Sequence, residues 1–400
     1  MKKFYLLLII IFTVNIASAQ WTTQASGTSN ELYSVFFTST NTGYTTGNAG
    51  TILKTNNGGL SWAPLNSGTS YTLCSVFFSD VNTGYAVGSH GIIIKTVNGG
   101  TNWIVQSSGT SITLFSVYFV NTNTGYAVGY DSNNGQILKT TNGGTTWSTV
   151  NVTSYYSFSS IIFINTNTGF AVGYDNNNHV GLILKTTDGG TTWTPQNSGT
   201  VQLIKSVFFI DANIGYTVGD YILKTTNGGS TWTTQTSGIP YSLKSIYFID
   251  ANTGYAVGGY GNIIKTTNGG MNWISQTSNT SESLNSVFFL NANIGYSVGQ
   301  NGKILKTTNG GLGISEVFSK NYIQISPNPA TIKTTIFYPP FNIDGQLLIY
   351  NMLGHIEYEE KILKSTSKAE LNIQSYKTGL YKVILKENGL LKGQISFIKQ

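Results

Sequence analysis

Apolar residues in this chain come in short clusters separated by Gly, Asn, Ser and Thr, and the clusters recur in a fixed order. The recurring phrase reads roughly L-x-S-V-F-F, N-T-G-Y-A-V-G, I-L-K-T-T-N-G-G, T-x-W. Apolar runs this short, bounded by turn residues, predict strands and not helices. Ser75-Val76-Phe77-Phe78 is apolar at successive positions, as expected of an inner strand with neighbours on both faces. Tyr85-Ala86-Val87 and Ile92-Ile93-Ile94 give a second and a third strand, and Trp103-Ile104-Val105 an outer one. Asn98-Gly99-Gly100 is a tight turn in which glycine supplies positive φ.

The phrase has a period. Trp21, Trp62, Trp103, Trp147, Trp193, Trp232 and Trp273 follow one another at gaps of 41, 41, 44, 46, 39 and 41 residues. Four short strands at a period near 41 describe propeller blades rather than a coiled coil or a helical solenoid. The two ends of the array are offset. After Lys306 to Gly311 the expected Trp is missing and Ile314 stands in its place, whereas Trp21-Thr22-Thr23 is an outer strand with no blade of its own. The expected fold is therefore all-β: a seven-bladed β-propeller over residues 20–314, closed by the N-terminal strand so that no sheet edge is left open.

Past Ile314, through a connector at 315–324 and beyond, the composition shifts to few Gly, no Trp and seven of the 16 acidic residues. Strand-like runs at Thr334 to Tyr338, Gln346 to Tyr350, Glu370 to Ile373, Leu380 to Lys386 and Gly393 to Lys399 predict a small β-sandwich over 325–400. At the other end, Lys2 and Lys3 precede the apolar run Phe4 to Phe12, and Ala17-Ser18-Ala19 offers a cleavage position. Residues 1–19 thus read as a signal peptide, with no transmembrane segment expected in the mature chain.

Composition narrows the chemistry. The 22 basic residues are all Lys, so no bidentate fork exists for phosphate or carboxylate, and the dispersed charge leaves no nucleic-acid footprint. One Cys excludes an internal disulfide framework, and three scattered His do not suggest a metal centre.

The turn Thr55-x-Asn57-x-Gly59-x-Ser61-Trp62 resembles an Asp-box (BNR repeat), and Thr186-x-Asp188-x-Gly190-x-Thr192-Trp193 keeps its acidic form. With Gly-Tyr-Ala-Val-Gly, the whole unit resembles the photosystem II stability/assembly factor-like propellers, which implies seven blades and a scaffold or binding role without catalysis. Pro327-Asn328-Pro329, Ile349 to Gly354 and Tyr376-x-x-Gly379-Leu380-Tyr381 resemble the type A sorting domain of type IX secretion in Bacteroidetes. That resemblance implies passage through the secretion machinery to the outer-membrane surface or beyond, and in such chains the domain is often cleaved afterwards.

Features shared by every blade are read as architecture, the seven repeated Lys as a solvated rim, and Asp80, Asp211 and Asp250 as turn residues. Function is sought where blades differ. The second residue of the inner-strand phrase is Tyr33, Cys74, Phe115, Ser159, Lys205, Lys244 and Asn285, so Lys205 and Lys244 offer an anionic ligand two positive points at a channel mouth. Blades three and four carry longer loops with Tyr130, Asp131, Tyr174 and Asp175, and the loop into blade four adds Tyr155 and Tyr156. Aromatics beside amide and carboxylate oxygens suit sugar stacking with hydroxyl hydrogen bonds. Oxygen-rich loops also suit Ca²⁺, but the EF-hand spacing is absent and no cofactor is expected. Sialidase chemistry needs Arg, and Asp131 with Asp175 is the carboxylate pair left for another glycoside hydrolase. The reading is a secreted or surface-held, non-catalytic propeller for a glycan or protein ligand. A hydrolase of neutral polysaccharide and a purely structural or assembly-factor propeller are the alternatives.

Overall fold

The computed structural model describes residues 21–132, 134–152, 155–311, 324–338, 344–387 and 390–400. The expected signal peptide, most of the expected connector and Ile314 lie outside these residues. Two compact units divide after Gly311.

The first unit holds seven four-stranded antiparallel sheets. Six are continuous in sequence; sheet 2, for example, runs Leu73–Phe78, Gly84–Gly88, Ile93–Thr96 and Ile104–Gln106. The seventh takes Leu284–Phe289, Gly295–Gly299 and Ile304–Thr307 from the end of the array and Thr22–Gln24 from its start, with Thr22 opposite Lys306 and Gln24 opposite Ile304. Innermost strands pack in succession, and the strand Leu32–Phe37 of sheet 1 packs on both Leu73–Phe78 and Leu284–Phe289.

The repeated aromatics explain why adjacent sheets cohere. In each junction one Phe lies flat against a ring of the preceding sheet and meets the edge of a Trp. Tyr44, Phe78 and Trp103 show the pattern, with centroid distances of 4.1 and 6.0 Å at 22° and 84°. Trp21 completes the same arrangement with Phe289 at 5.7 Å and 89°, and it is fully buried although it stands at the start of the described chain. Such pairs add roughly 0.5–1.5 kcal/mol each beyond area burial.

The seven repeated lysines are not the solvated rim expected of them. Lys54 Nζ donates to Gly99 O of the next sheet at 2.7 Å, and the Tyr44 hydroxyl donates to the same oxygen at 2.8 Å. The amine also sits 5.4 Å from the Tyr44 ring centroid. The latch recurs with Lys95, Lys139, Lys185, Lys224, Lys265 and Lys306, the last reaching Gly58 O at 2.6 Å and so joining sheet 7 to sheet 1. Their accepting glycine is the first of the double-glycine turn. Gly99 and Gly100 have φ of 62° and 81°, and a Cβ on Gly100 would stand 2.9 Å from the Tyr44 ring. The Asp-box side chain ties the same turn: Thr96 Oγ1 receives Gly100 N at 2.9 Å, and Asn98 Oδ1 receives Asn102 N at 3.0 Å. Asp80 accepts from Asn82 N and Thr83 N at 2.8 Å each, as a turn residue does.

The C-terminal unit contains a three-stranded sheet (Gln324–Ser326, Lys333–Phe337, Lys368–Asn372) and a four-stranded one (Ile356–Ile362, Gly345–Asn351, Gly379–Glu387, Leu390–Lys399, in spatial order). Ile325 and Ile336 of the first share one core with Leu347, Ile349, Val383 and Phe397 of the second. The strand Ile356–Ile362 is absent from the sequence expectation. It lies at a sheet edge and carries Glu357, Glu359, Glu360 and Lys361, so its polarity hides it, as charged edges do.

Candidate functional site

The residues that differ between repeats meet at one place. The innermost strand of every sheet slips register at the second residue of the repeated phrase, as between Leu73 and Ser75 or between Leu243 and Ser245. The extra residue is a β-bulge, which frees its side chain from the pairing ladder and re-aims it. The bulged residues are Tyr33, Cys74, Phe115, Ser159, Lys205, Lys244 and Asn285, and all seven line one cavity of about 430 Å³ with Asn48, Thr72, Ser89 and Thr113.

The polar members of this mouth are mutually engaged except on one side. Glu31 accepts from the Tyr33 hydroxyl at 3.1 Å and from Asn285 Nδ2 at 2.9 Å. Lys244 Nζ donates to Asn285 Oδ1 at 2.8 Å. Burial lowers the pKa of this amine below its ordinary value; the Glu31 carboxylate opposes the shift and the Lys205 charge adds to it. Lys205 Nζ donates to Ser242 Oγ at 2.8 Å, and among the described residues no carboxylate lies within ion-pair distance of it. Burial, then the Glu31 carboxylate, pushes the Tyr33 hydroxyl up to about 12, and burial alone pushes the Cys74 thiol up to about 12. Cys74 is thus a protonated thiol at physiological pH and no nucleophile.

The long loops of sheets 3 and 4 are longer hairpins. Gly125–Asp131 pairs with Asn134–Thr140, and Gly169–Asp175 with Val180–Thr186, so Tyr130, Asp131, Tyr174 and Asp175 stand on strand ends. Their hairpin ends lie beside the start of the innermost strand, the end at which the mouth opens, as the pairings of Thr113 with Tyr130 and Tyr156 with Asp175 show. The Tyr130 ring lies 5.0 Å from Phe115 of the mouth, and Asp131 is exposed. Tyr155 is 54% exposed, and its carbonyl receives Asn176 N and Nδ2 at 3.0 and 2.9 Å.

Two of the expected ligand residues face inward instead. Tyr156 is buried in the core beside Phe158. Asp175 is buried and caps its own turn: Oδ1 accepts from Asn177 N and Asn178 N at 2.9 and 3.1 Å, and Oδ2 from Asn178 Nδ2 at 2.8 Å. Among the described residues no three His, Cys, Asp or Glu side chains are grouped to hold a metal ion.

The sequence reading missed further aromatics at this end. Tyr71 stacks on His90 at 4.5 Å and 20°, and Tyr241 lies 4.6 Å from Tyr260. Tyr221 is exposed in the hairpin of sheet 5. His90 and Tyr260 occupy left-handed backbone, φ 58° and 55°, where a bulky side chain is unfavourable. Exposed or half-buried aromatics therefore run from sheet 2 to sheet 6, while sheets 1 and 7 place Ala49 and Asn301 at the equivalent left-handed position. The signal was legible as Tyr or His between two glycines of a strand connection, but single residues in turns carry no periodicity to mark them.

The family model described as photosynthesis system II assembly factor YCF48 matches residues 13–109, 104–198 and 237–308, together more than half of the chain. A secretion system C-terminal sorting domain model matches 324–399. No curated protein matches. Of solved structures, YCF48 bound to a D1 peptide is 19% identical, with a TM-score of 0.62 over 73% of this chain and 98% of that one. PorZ, an essential bacterial surface component of the type-IX secretion system of Porphyromonas gingivalis, is 13% identical, with a TM-score of 0.59 over 94% of this chain and 60% of its own. The GH74 xyloglucanase of Xanthomonas campestris is 10% identical, with a TM-score of 0.59 over 81% of this chain and 60% of its own. Likeness at these identities is likeness of fold, here the propeller. The sorting domain implies secretion or display at the cell surface. No helix among the described residues is long and apolar enough to cross a membrane.

Proposed function

We propose, from the premise that the chain belongs to the photosynthesis system II assembly factor YCF48 family, a non-catalytic propeller that binds a glycan outside the cell. The seven sheets are the blades of one ring, fastened by Thr22–Gln24. The return of the Lys306 latch to Gly58 and the packing of the first innermost strand on the last support that reading. The C-terminal unit is a sandwich that addresses the chain to the type IX machinery after export by its N-terminal signal, in a bacterium of the Bacteroidetes type. The shared core of its two sheets supports the sandwich.

One observation carries the binding reading: the seven bulged residues converge on one mouth, and the aromatics that exceed the repeat pattern gather at the same end. Amphipathic rings around a polar cavity suit a sugar, which presents C–H faces to rings and hydroxyls to amides and alcohols. The absence of catalysis rests on the carboxylates. Asp175 spends both oxygens on its own turn, leaving Asp131 without the second acid that glycoside hydrolysis requires. The runner-up, hydrolysis of a neutral polysaccharide, draws on the fold shared with a xyloglucanase. A polysaccharide array probed with the full chain tests the reading. Saturable binding that falls at least ten-fold when Tyr130, Tyr155 and Tyr174 become Ala supports it. A blank array overturns it in favour of a protein partner, and turnover abolished by Asp131→Asn overturns the claim of no catalysis.

A further inference from the structure

The mouth is not electrically neutral. Two amines, Lys205 and Lys244, line it, and no carboxylate does; Glu31 reaches it through the lining residues Tyr33 and Asn285. Glu31 belongs to sheet 1, where Tyr33 and Asn285 occupy its two oxygens, and Asn285 in turn accepts from Lys244. Lys205, two sheets before Asn285, shares none of this network: its amine reaches a serine hydroxyl and no described carboxylate. A half-buried ammonium whose partner is a neutral hydroxyl keeps unfilled capacity, since it has three donors and a full charge. The rest of the lining is neutral: hydroxyls from Thr72, Ser89, Thr113 and Ser159, an amide from Asn48, the thiol of Cys74 and the flat ring of Phe115.

A neutral sugar would use the hydroxyls and the ring but leave the charge of Lys205 unmatched. A nucleotide or multiply phosphorylated ligand would bring more charge than one uncommitted amine answers, and the chain has no Arg to clamp it. We propose that the mouth takes one anionic sugar residue of a polysaccharide, its acid group on Lys205 and Lys244, while flanking residues of the chain stack on the arc of Tyr71, His90, Tyr130, Tyr155, Tyr241 and Tyr260. This rests on the glycan reading and adds the charge of the ligand to it. The left-handed His90 and Tyr260 fit the second half of the proposal, because each is held outward against a tyrosine, His90 stacked on Tyr71 and Tyr260 tilted at 41° to Tyr241, despite the cost of its backbone.

The test uses the full chain and oligosaccharides in matched pairs: oligomers of galacturonate, glucuronate and mannuronate, each against its methyl ester, and a sulfated galactan against its desulfated form. Titration calorimetry is expected to show at least one acidic member binding ten-fold or more tightly than its neutral pair. Lys205→Gln should bring the acid to the affinity of the ester without altering thermal unfolding, and added salt should weaken the acid alone. A preference for sulfate over carboxylate would identify the acid group and support the site. Equal affinity within every pair, with Tyr→Ala sensitivity, would overturn the anionic site and leave the glycan reading standing. Acid binding indifferent to both Lys205→Gln and Lys244→Gln would also overturn it. No binding by any member would overturn both readings.

Discussion

At the scale of single residues, the repeat is informative because one copy breaks it. Six of the seven latches place a tyrosine hydroxyl and a lysine amine on the same glycine carbonyl, as Tyr216 and Lys224 do on Gly269 O at 2.8 and 2.6 Å. In sheet 4 the tyrosine is Phe170, and Lys185 holds Gly228 O alone at 2.6 Å. The Phe170 ring occupies the place of its counterparts, stacked on Phe209 at 4.2 Å and fully buried, with the Lys185 amine 5.7 Å from its centroid. Phe170→Tyr therefore adds a hydroxyl where an acceptor already waits, and no new cavity or clash is required. The expected gain is about 1 kcal/mol, the net worth of one buried hydrogen bond, read as a raised midpoint in urea at unchanged slope. A loss of stability would mean that the sheet 4 junction is packed differently from the other six. Lysine was misread at this scale because its usual place is the surface. Nothing in K-T-T-N-G-G tells that the amine will find the neighbouring turn, since the acceptor lies 43 to 50 residues along for the six latches that run forward in sequence.

At the scale of elements, the Asp-box turns differ in one titratable atom set. Six use Asn, whose oxygen accepts from the backbone, as Asn142 Oδ1 does from Thr146 N at 2.9 Å; at Asn57, Asn142 and Asn227 the nitrogen also donates to a hydroxyl, Asn142 to Thr146 Oγ1 at 2.9 Å. The fourth uses Asp188, which accepts from the Thr192 hydroxyl at 2.6 Å and from Thr191 N and Thr192 N at 2.9 Å each. The Thr192 hydroxyl first, then the Thr192 amide and the Thr186 hydroxyl, hold its carboxyl at about 2. A folded pKa below the unfolded value, about 3.9, gives stability that is complete above pH 4 and is lost as pH falls towards 2. Asp188→Asn keeps the turn, since six copies already use Asn. Its melting temperature should thus fall less than that of the parent chain between pH 4 and pH 2; parallel curves would show that the turn does not feel the charge. Turns and strands were legible because glycine pairs and apolar runs act locally. The bulge was legible too, though unread: Leu32 and Val35 are both buried, and a spacing of three between inward residues cannot arise in an unbroken strand of period two. What the sequence did not disclose is the burial of Tyr156 and Asp175, because lengthening a hairpin turns residues that look like loop into paired strand ends.

At the scale of the whole molecule, the offset between the two ends of the array becomes a mechanical question. Sheet 7 is completed by residues nearly three hundred positions earlier in sequence, Thr22 facing Lys306. The junction it closes holds Trp21 edge-on against Tyr255 and Phe289, at 6.4 and 5.7 Å. In the ring proposed above, sheet 7 leads into sheet 1 from Gln24 to Leu32 by the same short connection that serves the other sheets, and the break in the chain falls inside sheet 7, between Ile304–Thr307 and Thr22–Gln24. Lys306 to Gly58 and Val35 N to Ser286 Oγ at 3.4 Å are bonds at the next junction, from sheet 7 to sheet 1, and they link two sheets without completing either. The strand alone fills the open edge of Ile304–Thr307. Trp21→Ala should cost about 3–5 kcal/mol, as truncation of a large buried aromatic does. A chain lacking residues 21–24 loses the pairing as well, and its exposed edge invites a second copy. The expected result is a lowered melting temperature with concentration-dependent association by light scattering. A synthetic peptide spanning residues 20–28 should reverse both, because an added strand supplies main-chain partners and the missing indole together. A truncated chain that stays monomeric and melts with the parent would show that the seam closes without its N-terminal strand. The peptide arm keeps that outcome distinct from simple misfolding, since only a correctly formed sheet 7 offers it a groove.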